Sequence, residues 1–270
     1  MAIKQLIFIL ASNVWLLWPA QACSLRMGIE TNFPPYIVQQ QNSWSGLNVE
    51  LLQALAADVG CQLEFIHSPW LRSLKLVEQQ QLDVVSQLSY NSERNNQFAF
   101  IGPHFIEKIY LVGQPAAFKG LTAVSQLKKN GTSGIIALLN GAYYGDELDA
   151  ILNDAANHTR FVFIRGNEDK LALLLNNRVH GVLEDITAFH YWQQDIKVAD
   201  HSYQPILLLY QSPVYFGFNR LTISEQQLQR LAESWQKLYA SGVLQRIVQR
   251  YDLPQYQLSL PAPASILSQQ

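Results

Sequence analysis

The sequence is poor in cysteine and in charge. It has two cysteines in 270 residues, and charged residues make up 15%, against roughly 25% in an average soluble domain. Two cysteines cannot complete a four-ligand zinc site or hold together a disulfide-dense small fold. The formal net charge of -2 offers no basic surface to a phosphate backbone, so we expect no nucleic-acid partner.

The sequence also lacks the common motifs of catalysis. Its six histidines show no HExxH spacing, and the chain contains no GxSxG, GxGxxG or GxxxxGK segment. These motifs place a zinc site, a nucleophile or a phosphate-binding loop. We therefore expect no catalytic residue, no metal and no cofactor, and a binding function is favoured over a reaction.

Apolar residues, by contrast, are plentiful, and they begin at the N-terminus. Lys4 precedes an apolar run over residues 6–18, which ends in a short segment closing at Ala22. This pattern is typical of a secretory signal peptide, residues 1–22, cleaved after Ala22. The run is short for a membrane span, although a short N-terminal anchor is the alternative. Cys23 then becomes the first residue of the exported chain, and the residues before it do not favour a lipoprotein.

Export changes the interpretation of the two cysteines. Cys23 and Cys61 each stand just before an apolar, strand-like run, at 25–29 and 63–66. In an oxidising compartment they could pair at the same edge of a parallel sheet. Closing such a loop stabilises the fold by about 4 kcal/mol. The alternative is two unpaired buried thiols.

Strand-like and helix-like segments alternate along the chain. The first part reads as strand 25–29, helix 47–59, strand 63–66, helix 71–80 and strand 82–88. This alternation predicts an α/β fold with a parallel sheet. The pattern repeats between residues 134 and 183. A strand at 214–218 and two helices follow, and the Pro-, Ser- and Gln-rich segment 255–270 predicts a flexible tail.

Seven short segments resemble, in order, those of one known family. They are 26–36 (RMGIETNFPPY), 44–52 (WSGLNVELL), 69–70 with 82–84, 89–94 (SYNSER), 100–105 (FIGPHF), 212–218 (SPVYFGF) and 241–244 (SGVL). On these segments the chain resembles periplasmic solute-binding proteins of family 3, the polar amino-acid type that feeds ABC importers. The resemblance covers about residues 25–254.

The resemblance implies an α/β two-lobe periplasmic-binding-protein fold of type II. Each lobe is then a mostly parallel sheet flanked by helices, and two hinge strands join the lobes. The first lobe comprises 23–110 and 212–254, the second comprises 111–211, and the crossovers fall near 108–113 and 209–214. The resemblance also implies a monomer in the periplasm that binds a small amino-acid-like molecule and serves an inner-membrane ABC permease.

An amino-acid zwitterion needs a planar donor for its carboxylate and an anion for its ammonium group. Arg94 follows the 89–93 turn at a predicted helix start and matches the family's carboxylate-binding arginine. Asp185 ends a predicted strand, where open α/β sheets bind ligands, and matches the family's ammonium-binding acid. Glu184 is the competing assignment for that role. A helix cap is the alternative role for Asp185.

The resemblance adds further ligand-binding residues from the first lobe. Phe33 and Trp70 supply aromatic walls, and Glu30 reaches a polar or basic ligand side chain. Ser89 begins the turn that carries Arg94. The sequence departs from the family within that turn, for example by having Asn91 where the family often has Thr, so the identity of the ligand stays open.

One loop of the second lobe completes the predicted site. Gly141, Ala142 and Tyr143 lie between a predicted strand and a predicted helix. Small residues there let backbone N–H groups approach a carboxylate. The alternative is an ordinary connecting loop.

Three functions are compatible with these features. The first is a binding protein that captures an amino acid for ABC-type uptake. The second is an enzyme on the same scaffold, similar to cyclohexadienyl dehydratases, with Glu184, Asp185 or Glu30 as a general acid of raised pKa. The third is a periplasmic sensory or accessory protein that presents its closed form to a membrane kinase.

Overall fold

The computed structural model describes residues 23–30, 32–128, 134–195, 203–251, 253 and 260–263. The predicted leader and most of the predicted tail lie outside these residues. No helix within the described ranges is both long and apolar enough to cross a bilayer. The first part contains β1 (Cys23–Ile29), β2 (Val38–Gln40), β3 (Ser43–Ser45), α1 (Leu47–Asp58), β4 (Cys61–His67), α2 (Trp70–Glu78), β5 (Val84–Ser89), α3 (Ser92–Asn95) and β6 (Phe98–Gly113).

The second part continues the alternation and then returns to the first lobe. It contains β7 (Ile136–Leu139), α4 (Asp146–Leu152), β8 (Phe161–Ile164), α5 (Glu168–Leu175), β9 (Gly181–Asp185), α6 (Ile186–Asp195), β10 (Gln204–Asn219), α7 (Glu225–Ala240) and α8 (Val243–Val248). Strands and helices of the predicted α/β alternation are present, which confirms the predicted fold class.

One sheet runs through both lobes, in the order β4-β1-β5-β10-β6-β9-β7-β8. Its two ends are parallel, and its centre is antiparallel. The central strands β6 and β10, of 16 residues each, pair with one another along their length. These strands are the predicted hinge strands, because each belongs to the sheets of both lobes.

The pairing partners show where the chain passes between lobes. In β10, residues 214–218 pair with β5 of the first lobe. In β6, residues 109–113 pair with β9 of the second lobe. The residues between these paired segments belong to neither lobe. They are 106–108 in β6 and 211–213 in β10. The predicted crossover at 108–113 overlaps mainly with strand residues that already belong to the second lobe.

The first lobe has the larger core, built on one face of its sheet by α1, α7 and α8. Leu51, Leu52 and Leu55 of α1 are buried there, at the helical spacing seen in the sequence. Among the described residues, Trp235 of α7 is the largest fully buried side chain. Leu260 is buried in the same core, in contrast to the flexible tail that the composition of 255–270 predicts.

A disulfide closes the edge of this lobe. Strands β1 and β4 are parallel neighbours in a register that sets Cys23 opposite Cys61. The two sulfur atoms are bonded, with Cα atoms 4.4 Å apart. The predicted pairing is therefore confirmed.

The second lobe has smaller cores on the two faces of β7. On one face Leu138 packs with Leu148 of α4. On the other face Ala137 packs with Leu174 of α5. The loop before α4 and the start of α5 both border the cavity described next.

Candidate ligand-binding site

A cavity of about 80 Å³ lies between the lobes. Residues of both lobes and of the hinge strand β6 line it. Seven of the nine predicted ligand-binding residues are among them: Glu30, Phe33, Trp70, Ser89, Arg94, Ala142 and Tyr143.

Arg94 lies at the outer end of this cavity. The side-chain oxygen of Asn91 accepts a hydrogen bond from the Arg94 backbone N–H at 2.8 Å, which fixes the start of α3. The guanidinium donates to the carbonyls of Ser89 and Gly141, at 3.1 and 3.2 Å. It also lies 5.9 Å from the centroid of the Tyr143 ring. A guanidinium has five N–H groups, so these two bonds leave donors for an anion.

Gly141 brings the second lobe against the first. Its φ angle of +79° lies in the left-handed region that side chains other than glycine's rarely adopt, and glycine there also leaves room for Leu71. The Gly141 carbonyl accepts from Nε1 of Trp70 at 3.0 Å as well as from Arg94. The N–H of Ala142 donates within the turn, to Leu139. The loop thus turns a carbonyl toward the first lobe, where we expected N–H groups.

A buried ion pair occupies the inner end of the cavity. Nζ of Lys170, on α5, lies 3.0 Å from Oε1 of Glu184, on β9, and both side chains are about 95% or more buried. The same Nζ lies 5.7 Å from the centroid of the Phe33 ring. Burial raises the pKa of Glu184, and the adjacent Lys170 opposes that rise.

Glu30 connects the two lobes at this inner end. Its Oε2 accepts a hydrogen bond from Nδ2 of Asn167, just before α5, at 3.1 Å. Burial raises the pKa of Glu30 to about 7, although Lys170 and the Asn167 donors act in the opposite direction. Glu30, which we expect to contact the ligand, therefore also accepts a hydrogen bond from the second lobe.

Glu107 is a cavity residue that the sequence analysis missed. It lies on the hinge strand β6 and lines the cavity. Burial, followed by the nearby Asp185 and Glu184 carboxylates, raises the pKa of Glu107 to about 8. The signal for Glu107 in the sequence was an acidic residue two positions before Ile109, within an apolar strand. Lys170 was also missed, and its signal was a position one turn before the buried Leu174.

Asp185 is buried outside the cavity lining. Its Oδ1 accepts from the Tyr36 hydroxyl at 2.7 Å and from the N–H groups of Thr187 and Ala188 at 2.9 and 3.3 Å. Its Oδ2 accepts from the Lys108 N–H at 3.1 Å. Asp185 is thus the N-cap of α6, the alternative role, and the competing acid Glu184 lines the cavity instead. The expectation that Asp185 faces the ligand is corrected by this geometry.

The donor set of the site suits an organic ion. In the described part of the chain, no three His, Cys, Asp or Glu side chains are grouped so as to hold a metal ion. Arg94 presents N–H donors at one end, and carboxyl groups lie at the other. Such a cavity can pair with a small molecule that carries both signs of charge.

The fold and the cleft define a two-lobe solute-binding protein. The sequence profile of "Bacterial extracellular solute-binding proteins, family 3" matches residues 25–254. The chain belongs to this family, and the resemblance seen in the sequence is confirmed.

Three individual proteins illustrate the likeness. A "Probable histidine-binding protein" of Campylobacter jejuni subsp. jejuni is 20% identical over 167 residues, which are 60% of this chain and 60% of that protein. A histidine kinase sensor domain with similarity to periplasmic binding proteins has a TM-score of 0.71 and 19% identity, over 86% of this chain and 98% of that one. An ancestral arginine-binding protein bound to arginine has a TM-score of 0.70 and 18% identity, over 85% and 98%. The two structures show the fold.

Proposed function

We propose that the protein is exported to the periplasm, binds a single amino acid between its lobes and delivers it to an inner-membrane ABC permease. The observation that carries this proposal is Arg94, whose guanidinium faces the inter-lobe cavity and bonds carbonyls of both lobes. It provides a planar donor for the α-carboxylate. Family membership and the histidine- and arginine-binding relatives support the same ligand class.

The size of the cavity favours one amino acid over a peptide. A volume of about 80 Å³ corresponds to roughly six water molecules at about 10–15 Å³ each. That is close to the number of non-hydrogen atoms in a small amino acid. An oligopeptide would require the lobes to separate.

Contacts between the lobes give closure a physical basis. Trp70 and Arg94 both donate to Gly141, and Asn167 donates to Glu30. A ligand held by residues of both lobes adds its own contacts only when the lobes are closed. It therefore shifts the population toward the closed form.

Glu107 is the acid that we assign to the ligand's ammonium group. Glu184 is already paired with Lys170, and Asp185 is used as a helix cap. Glu107 lines the cavity without such a cation, and its raised pKa keeps it protonated near neutral pH. An ammonium group beside it favours the ionised form, so binding would release a proton.

A screen of the twenty standard amino acids by thermal shift, followed by calorimetry, tests the proposal. We expect at least one to raise the melting temperature, because a ligand that binds only the folded state stabilises it by mass action. Saturable one-to-one binding should follow in calorimetry. Absence of a shift with every amino acid would contradict the proposal.

An enzyme on this scaffold is the second candidate. The observation in its favour is that Glu30 and Glu107, with pKa values of about 7 and about 8, are poised as general acids near neutral pH. Incubation of the purified protein with prephenate or arogenate tests it. Turnover would establish a dehydratase, and saturable amino-acid binding without turnover would exclude it.

A further inference from the structure

Lys170 places a positive charge at the inner end of the cavity, where the positive charge of a ligand side chain could otherwise bind. Its Nζ faces the Phe33 ring at 5.7 Å, a distance at which an aromatic ring attracts a cation. It also pairs with Glu184 at 3.0 Å, and its positive charge acts on Glu30, opposing the rise in the pKa of that group. Lys170 is therefore the cation that interacts with the Phe33 ring and with the carboxylates of Glu184 and Glu30.

Three acids line the cavity, but each of them already has a partner or a role. Glu184 accepts from Lys170 and from the Asp185 N–H. Glu30 accepts from Asn167. Glu107 is the acid that we assign to the ligand's own ammonium group, so it is already used when an amino acid is bound. The bound amino acid's ammonium group uses Glu107, so no carboxyl group of the inner end is left over for a second cation on the ligand.

An acidic side chain fits no better. Lys170 is already in contact with one carboxylate, and the carboxyl groups of Glu30 and Glu107 border the same space. A ligand carboxylate there would meet three acidic groups and a single ammonium that is already paired. In a buried site, such repulsion is only weakly screened.

We propose that Lys170 takes the place of a ligand cation at the inner end of the cavity, so that the bound amino acid has an uncharged side chain. This inference rests on the proposed amino-acid-binding function and narrows it. Arginine, which one named relative binds, and lysine carry a side-chain cation and are excluded by repulsion from Lys170.

Two pairs of ligands matched in size test the charge of the side chain. Glutamine and glutamate differ mainly in charge, as do methionine and lysine. By calorimetry with the wild-type protein, we expect glutamine or methionine to bind at least tenfold more tightly than its charged counterpart. A wild-type protein that binds lysine, arginine or glutamate more tightly would overturn the inference while leaving the proposed function intact.

The double variant Lys170→Met, Glu184→Gln tests the residue. It removes both members of the pair together, so that no unpaired charge remains buried, and it keeps their approximate volumes. Because Glu30 then lacks its neighbouring cation, the affinity for lysine relative to methionine should rise at least tenfold. Lys75→Met, an exposed residue of α2, is the matched control and should change that ratio less than twofold.

Each remaining outcome decides the question. An unchanged ratio in a folded double variant would overturn the role of Lys170. If the double variant does not fold, the wild-type comparison decides alone, and if only other amino acids bind, their side-chain charge is judged by the same criterion. If no amino acid binds at all, the proposed function itself fails, and this inference is withdrawn with it.

Discussion

The two ends of the cavity treat positive charge differently. At the outer end, Arg94 is held by neutral carbonyls and the Tyr143 ring, and no carboxylate among the described residues is in ion-pair contact with it. At the inner end, Lys170 is paired with Glu184 and buried. A cation without an ionic partner attracts an anionic group, whereas a paired one shapes the cavity. The outer end should therefore govern affinity and the inner end selectivity.

The largest expected effect tests the inner end through stability. Lys170→Met leaves Glu184 as a buried, unpaired charge, and removing one partner of such a pair costs about 4 kcal/mol. Urea unfolding at pH 7 should show this loss in the free energy of unfolding. Adding Glu184→Gln should restore most of it, and a loss below about 1 kcal/mol in the single variant would contradict the pairing.

The next prediction concerns affinity at the outer end. Arg94→Ala should weaken binding of the most stabilising amino acid at least a hundredfold, or about 3 kcal/mol, because it removes the charge-assisted contact to the carboxylate. Calorimetry measures this change. Arg72→Ala, on the exposed side of α2, is the control. Equal affinities for the two variants would show that the carboxylate lies elsewhere.

The raised pKa of Glu107 makes the stability of the fold depend on pH. Its pKa is about 8 in the folded chain, against 4.5 without the protein environment. Between these values the folded chain keeps a proton that the unfolded chain has lost, so stability falls as pH rises through this window. Glu107→Gln abolishes the effect and should gain roughly 2 kcal/mol relative to wild type between pH 6 and pH 8. Denaturant titrations at both pH values measure this gain, with the exposed Glu64→Gln as control. If Glu107 were solvated, Glu107→Gln would change the free energy of unfolding equally at both pH values.

The smallest effect concerns closure. Trp70→Phe keeps an aromatic wall but removes the Nε1 donor to the Gly141 carbonyl. One such hydrogen bond contributes about 1 kcal/mol, so we expect roughly fivefold weaker binding. Trp44→Phe, a tryptophan of β3 outside the cavity, should bind as the wild type does. A larger loss for Trp44→Phe than for Trp70→Phe would argue against this contact.

The sequence predicted the parts of the fold that depend on local pattern. The helix predicted at 47–59 lies within one residue of α1, and the strand predicted at 25–29 ends where β1 ends. The long strands β6 and β10 were seen only in part, because both faces of β6 are largely buried and no alternation marks its length. The β2–β3 hairpin was missed, since three-residue strands carry little periodicity.

The site was predictable where a motif carried it and not where distant residues meet. Arg94 and Trp70 lie in recognisable segments and do line the cavity. The contact of Glu30 with Asn167 joins residues 137 positions apart, which no local pattern encodes. Glu184 and Asp185 point to opposite sides of β9, as neighbours in a strand do. Because Asp185 caps α6, Glu184 is the acid of this pair that lines the cavity.

The disulfide at the sheet edge limits the chemistry that is open to Cys23. The sulfur of Cys23 is bonded to that of Cys61, so it cannot also form the thioether to a diacylglycerol that fastens some exported proteins to a bilayer. If the proposed export includes cleavage before Cys23, the first residue of the mature chain is joined covalently to β4, the parallel neighbour of β1. An intact mass of the exported protein without added acyl chains would show this directly.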